Sequence, residues 1–309
     1  MMSKKLVSRL LTPVALALLM MLSMAAGDLQ TAAMAESSAI TVTDMFGREV
    51  TIEGPVTRVI AMEPSDCEIL CAIGCGDALV GRGMYCDYPA SVLEVPAVQS
   101  GGNINLEELL ALGPQVVVMT GMTQATEQIA LLEQNGVRVI GTDANTIAEV
   151  YDSIRLLGTI MGREAEAAAV IADMQATFAD IAARSEKTDK TIYFEVMPLE
   201  WGLWSAGSDT FMHELAGICG MKNAFADVEG WQQISQEQVI ERSPDYIVLV
   251  TGMGENAVDE VLGRAGWESI TAIRNGAVYN ADSYAMTRPA PRLAEAVVAL
   301  YHFLNGVTE

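Results

Sequence analysis

The sequence predicts an α/β protein of two lobes, each built on a parallel sheet, joined by one long rigid helix and enclosing a ligand cleft. Three observations carry this prediction. Apolar, strand-sized runs alternate with helical segments early in the chain and again late in it, the pattern of parallel sheets covered by helices. The two patterns are separated by a stretch, Glu164 to Ser185, that contains neither glycine nor proline. Finally, two segments 130 residues apart repeat one arrangement: Asn105-Leu106-Glu107-Glu108 leads through Pro114 into a strand, and Ser235-Gln236-Glu237-Gln238 leads through Pro244 into another.

Before the first lobe, Lys4, Lys5 and Arg9 precede an apolar run from Leu10 to Met24, broken only by Thr12, Pro13 and Ser23. A positive segment followed by a short hydrophobic one reads as a secretory signal. Residues 1–35 are therefore the expected signal peptide, cleaved after Ala33-Met34-Ala35. That site lies far beyond the apolar run, so a retained N-terminal anchor is the alternative. No cysteine occurs before Cys67, and a lipid anchor on a cysteine directly after the signal is not expected. The expected location is outside the cytoplasm, at the periplasmic or extracellular face of the cell membrane.

The N-terminal lobe is assigned to residues 36–145. Alternation around Phe46-Gly47-Arg48 reads as a hairpin over 40–53. Val56 to Met62 is an apolar strand, after which Pro64-Ser65-Asp66 opens a helix that runs to about Ile73. Ser65 with Glu68 three places on has the spacing of a capping box. Further strands are expected at Ala78–Val80, Val116–Thr120 and Arg138–Gly141, with helices at Leu106–Leu112 and Gln124–Asn135. Residues 146–185 form the helical connector, with Gly158 and Gly162 allowing a break. Its uninterrupted 22 residues reach about 33 Å. Residues 186–309 form the C-terminal lobe, with strands at Thr191–Val196 and Tyr246–Val250 and helices at Thr210–Ile218 and Ala290–Phe303.

Composition narrows the partners. Lys and Arg number 18 against 40 Asp and Glu, a formal charge of −22. Such a field repels nucleic acid and anionic lipid and suits a cationic or neutral solute, unless it serves only as a soluble acidic surface. The five cysteines, Cys67, Cys71, Cys75, Cys86 and Cys219, are an odd number. The first three share one helical stripe and read as small core thiols, with one disulfide or a metal as alternatives.

Ligands of open α/β sheets bind beyond the strand ends, so the cleft candidates are loop residues. These are Met84 and Tyr85 in the first lobe, with the glycine-rich Ser100-Gly101-Gly102-Asn103 beside them, and Trp201, Trp204, Trp231 and Arg288 in the second. Large aromatic faces on glycine- and proline-rich loops suit a wide, ring-bearing ligand, or else pack against their own lobe. Arg288 is placed to take a ligand carboxylate bidentately or to pair internally, as Arg292 is expected to do. The capping pattern explains Asn105, Glu108, Ser235 and Gln238 but not Glu107 and Glu237. Each holds the second helical position, and together they suggest a docking surface for a partner with two basic sockets. With only His213 and His302 a multi-histidine zinc site is implausible, and no nucleophile elbow, zincin pair or phosphate loop occurs. An enzyme is not expected.

Together, Thr57-Arg58-Val59-Ile60-Ala61-Met62-Glu63-Pro64-Ser65, Asp87-Tyr88-Pro89, Asn105-Leu106-Glu107 before Pro114, the long helix, Ser235-x-Glu237 before Pro244 and Arg288-x-x-Pro291-Arg292 resemble the iron-complex and cobalamin class of periplasmic binding proteins. These are solute receptors of ABC importers. The resemblance implies Rossmann-like lobes with modest closure, and the chain is expected to act as a monomer. Glu107 and Glu237 would salt-bridge to arginines of the permease dimer, which is driven by its ATPase subunits. Tyr85, Trp231 and Arg288 would match ligand-contacting positions. No intrinsic cofactor is implied; the ligand is expected to be a metal complex. A ferric siderophore, of neutral hydroxamate type because cations are scarce, comes first. A corrinoid follows, then haem with Tyr85, Met84, Met197 or His213 as conceivable axial ligands.

Overall fold

The computed structural model describes residues 39–307 apart from 101–103, 122–124, 253 and 255. The expected signal peptide and most of the glycine-rich loop at Gly101 lie outside the described residues.

Strands β1 (Ile40–Thr43) and β2 (Glu49–Ile52) form the expected antiparallel hairpin. Asp44 organises its turn: Oδ1 accepts the backbone N–H of Phe46 at 3.1 Å and of Arg48 at 2.9 Å, and Oδ2 takes the Arg48 guanidinium at 2.6 Å. The same carboxylate accepts the Gly141 N–H at 3.0 Å, tying the hairpin to the first lobe. Phe46 lies over Gly141 so closely that a Cβ there would stand 2.3 Å from the ring, and only glycine fits.

The first lobe runs β3 (Val59–Ala61), α1 (Pro64–Ala72), β4 (Leu79–Gly83), β5 (Ala97–Val98), α2 (Leu106–Ala111), β6 (Val116–Thr120), α3 (Ala125–Gln134) and β7 (Arg138–Thr142). All five strands are parallel, in the order β5-β4-β3-β6-β7. The central strands are buried on both faces, which is why they read as continuous apolar runs rather than as alternation. One local expectation fails here. Helix α1 starts at Pro64 with Glu63 as its N-cap and no side-chain cap. Proline at the first helical position needs no N–H partner and presets the helical φ, so the helix begins one residue before Ser65. Ser65 and Glu68 thus fall inside the helix, and Glu68 is free for another role.

The connector is two helices. Helix α4 (Ile147–Met161) opens with a capping box of Thr146 and Glu149 and closes on Gly162 at φ +63°. Helix α5 (Glu164–Arg184) runs 21 residues, about 32 Å. Its buried stripe is Ala167, Ile171, Met174, Phe178 and Ile181, the spacing of one helix face. This helix packs on α4 and also on the second-lobe helices at Phe211–Ile218 and Leu293–Leu304.

The second lobe runs β8 (Thr191–Glu195), β9 (Trp204–Ala206), α6 (Phe211–Ile218), β10 (Lys222–Asn223), β11 (Trp231–Gln233), α7 (Gln236–Arg242), β12 (Tyr246–Leu249), α8 (Ala257–Leu262), α9 (Thr271–Asn275), β13 (Val278–Asn280), α10 (Ser283–Thr287) and α11 (Leu293–Leu304). Its sheet is parallel in the order β10-β8-β12-β13, while β9 and β11 form a separate antiparallel ribbon. A single apolar cluster contains Leu70 of the first lobe, Met174 and Phe178 of the connector, and Phe194, Leu215 and Val297 of the second lobe. The lobes therefore share one core through α5, and the molecule is two parallel-sheet lobes on a rigid helical spine. Among the described residues no helix is long and apolar enough to cross a membrane.

Candidate ligand-binding site

The loops beyond the strand ends present aromatic and sulfur side chains from both lobes. After β4, Met84 and Tyr85 are 51% and 66% exposed, while the flanking Cys86 is buried. After β8, Trp201 is 68% exposed at the end of a short 3-10 turn. That turn closes on Gly202 at φ +86°, a conformation that L side chains rarely adopt. Tyr284, on α10 after β13, is also exposed. Large apolar side chains kept in water on both lobes are the feature that packing alone does not explain.

The remaining candidates are held more firmly. Trp204 is half-buried on β9, in register with Gln233 of β11. The indole Nε1 of Trp231 donates to Asn145 Oδ1 at 3.0 Å, and its ring lies 5.4 Å from that of Phe211. Asn145 is the residue before the Thr146 cap, so Trp231 sits at the lobe junction. Arg288 is buried and reaches across to the first lobe: Nη1 donates to Glu68 Oε1 at 2.8 Å and to Asp87 Oδ1 at 2.7 Å, and Nη2 to the Tyr85 carbonyl at 3.4 Å. The Tyr284 ring covers the guanidinium at 4.2 Å. Arg292 pairs with Asp282 at 2.7 Å and covers Tyr88 at 4.2 Å. Both arginines thus have internal ion pairs, and Arg288 fixes the loop that carries Tyr85.

Carboxyl groups gather at the strand ends of the first lobe. Burial holds the Glu63 carboxyl above its usual range, against a hydrogen bond with Thr120. Asp66 is pushed up to about 7 by burial, opposed by the Thr142 hydroxyl, which donates at 3.0 Å, and reinforced by Glu63. His213 is in α6 with Nδ1 buried and without a hydrogen-bond partner. All five cysteines are free, and among the described residues no group of three or more His, Cys, Asp or Glu is arranged to hold a metal ion.

The repeated segments occupy equivalent places. Asn105 Oδ1 accepts the Glu108 N–H at 3.2 Å, and Ser235 with Gln238 makes a complete capping box. Glu107 and Glu237 follow as exposed second helical residues. In each lobe the short helix feeds the strand beside that lobe's first strand, β6 next to β3 and β12 next to β8.

A family model described as periplasmic binding protein matches residues 59–285, most of the chain. The chain belongs to the periplasmic binding protein family. Its class is that of the extracytoplasmic solute receptors of ABC importers for iron complexes and cobalamin. The chain is 33% identical over 268 residues to an uncharacterized ABC transporter substrate-binding lipoprotein of Bacillus subtilis, covering 84% of each. It is 28% identical over 255 residues to the vitamin B12-binding protein of Vibrio parahaemolyticus, covering 82% of this chain and 91% of that one. The structure of the periplasmic heme-binding protein HutB of Vibrio cholerae superposes with a TM-score of 0.72 at 21% identity, over 80% of this chain and 98% of that one, which shows the shared fold.

Internal pairing of Arg288, one of the two expectations for it, is what the structure shows, but no signal in the sequence pointed to the partners. Glu68 and Asp87 lie 220 and 201 residues away, and the apparent capping role of Glu68 concealed the pairing.

Proposed function

We propose that this periplasmic binding protein captures a corrinoid between its lobes and delivers it to an ABC permease. One observation carries the proposal: exposed aromatic faces, Tyr85 and Trp201, come from opposite lobes, while the nearby arginines Arg288 and Arg292 are already ion-paired. A site of this kind favours a large ligand whose periphery is neutral and amide-rich, as a corrinoid's is. It disfavours ligands that need a free guanidinium, such as catecholate complexes or the propionates of haem. Kinship to vitamin B12-binding proteins supports the corrinoid over the ferric siderophore that was the first expectation from the sequence. Met84, Tyr85, Trp201 and Trp204 are assigned to ligand contact, with Trp231 and Arg288 holding the walls. Glu107 and Glu237 are assigned to the permease, one for each half of its dimer.

Hydroxocobalamin titrated into the purified chain should quench tryptophan fluorescence. Tyr85→Ala and Trp201→Ala should each weaken binding about tenfold or more, as expected for aromatic anchors. Unchanged affinity in both variants would remove the aromatic site from the account.

A further inference from the structure

A cavity of about 400 Å³ opens where α1, α5 and α11 meet, a size suited to a small organic ligand. Its lining includes Glu68, Cys71, Tyr88, Asp173, Met174 and Arg292. Two features point to an occupant. Cys71 is half-buried where the other four cysteines are buried, so one thiol alone reaches this cavity. Glu68 is 3% exposed, and its Oε2 has no hydrogen-bond partner although Oε1 takes Arg288 at 2.8 Å. A buried acceptor left open is costly and calls for a donor.

The charges around it specify that donor. Glu68, Asp173 and Glu295 line the cavity against Arg292 alone, and Arg292 is itself held by Asp282 at 2.7 Å and Glu295 at 3.4 Å. A cation is the missing complement. The thiol chemistry is also prepared. Cys67, one helical turn before Cys71, donates a hydrogen bond to it and holds the Cys71 thiol below its usual range, against burial and the Glu68 charge. The thiolate is the attacking partner in disulfide exchange, so a thiol shifted toward it beside an opening is placed to react.

We infer that this cavity is a thiol-bearing ligand site in which Cys71 forms a mixed disulfide with a small disulfide that carries an ammonium group. The ammonium donates to Glu68 Oε2. The Cys71 thiolate attacks the nearer sulfur of the ligand, its S–S bond breaks, and the departing thiolate takes a proton from solvent. Overall, one protein thiol and one disulfide become one mixed disulfide and one small thiol, with no other oxidant. The cavity touches the loop that carries Tyr85 through Tyr88 and Pro89 but opens between helices, and it does not depend on the corrinoid reading.

The test uses the reduced, purified chain with cystamine and, separately, with the dianionic dithiodiglycolate, followed by mass spectrometry and peptide mapping. Cystamine should place a single adduct on Cys71, about tenfold or more faster than dithiodiglycolate. Cys71→Ser should abolish the adduct. Ala294→Phe, which fills the cavity from α11 without touching the thiol, should slow the reaction at Cys71. Glu68→Gln should narrow the rate ratio between the two disulfides. An adduct mainly on another cysteine, equal rates for the two reagents, or an unchanged rate in Ala294→Phe would each overturn the assignment.

Discussion

Replacing Arg288 with Met tests the junction most sharply. The side chains of Arg288 and Glu68 are 9% and 2% exposed, so their 2.8 Å contact is a buried ion pair. Removing one member of such a pair costs about 3–5 kcal/mol, because the partner charge remains buried. Asp87 is 38% exposed at its side chain and regains water, and Arg292 stands 4.0 Å from Glu68 as a weak substitute. The loss should therefore fall near the lower end, about 3 kcal/mol, or a Tm lower by roughly 6–12 °C. Burial already holds the Glu68 carboxyl above its usual range, with Arg288 opposing. Without Arg288 it should rise further. A raised carboxyl contributes stability that is present below its unfolded pKa and lost as pH rises through the folded value, so the deficit should shrink on acidification. The double variant Glu68→Met/Arg288→Met removes both charges and should recover most of the loss. Thermal unfolding followed by circular dichroism and calorimetry measures all three proteins. A single variant within about 0.5 kcal/mol of the parent, or a double variant as unstable as the sum, would refute the buried-pair reasoning.

Other consequences can be checked in the same way. Asp66 is raised from 3.8 to about 7, so stability should fall as pH rises through that interval, and Asp66→Asn should flatten the profile in denaturant titrations. Gly141→Ala should cost about 1–3 kcal/mol, since the new methyl meets the Phe46 ring; a variant that melts with the parent would contradict that packing. Trp231→Phe deletes the bond to Asn145 and should cost about 1 kcal/mol by urea unfolding. Glu107→Ala with Glu237→Ala should leave ligand affinity unchanged while impairing uptake through the permease in a transport assay, with either change alone costing less.

Legibility in the sequence followed local signal strength. The connector was readable because 21 helical residues lack any breaker, and the paired helix starts because Asn105 and Ser235 are strong caps. β5 and β10 were not readable, since two residues each are too few to show a period. Helix α11 begins at Leu293 rather than Ala290, because Pro289 and Pro291 delay it. At the site, exposure of Tyr85 and Trp201 followed from aromatic residues on breaker-rich loops. The pairing of Arg288 with Glu68 did not, because nothing local links residues from different lobes. The cavity at Cys71 was likewise invisible, as it forms only where three distant helices converge.

Calorimetric titration of the purified chain with hydroxocobalamin, run beside haem and a ferric hydroxamate, tests the central claim most directly. The account predicts one corrinoid per chain, bound tighter than roughly 10 μM, with the other two much weaker. Binding of haem or the hydroxamate with no heat from the corrinoid would contradict it.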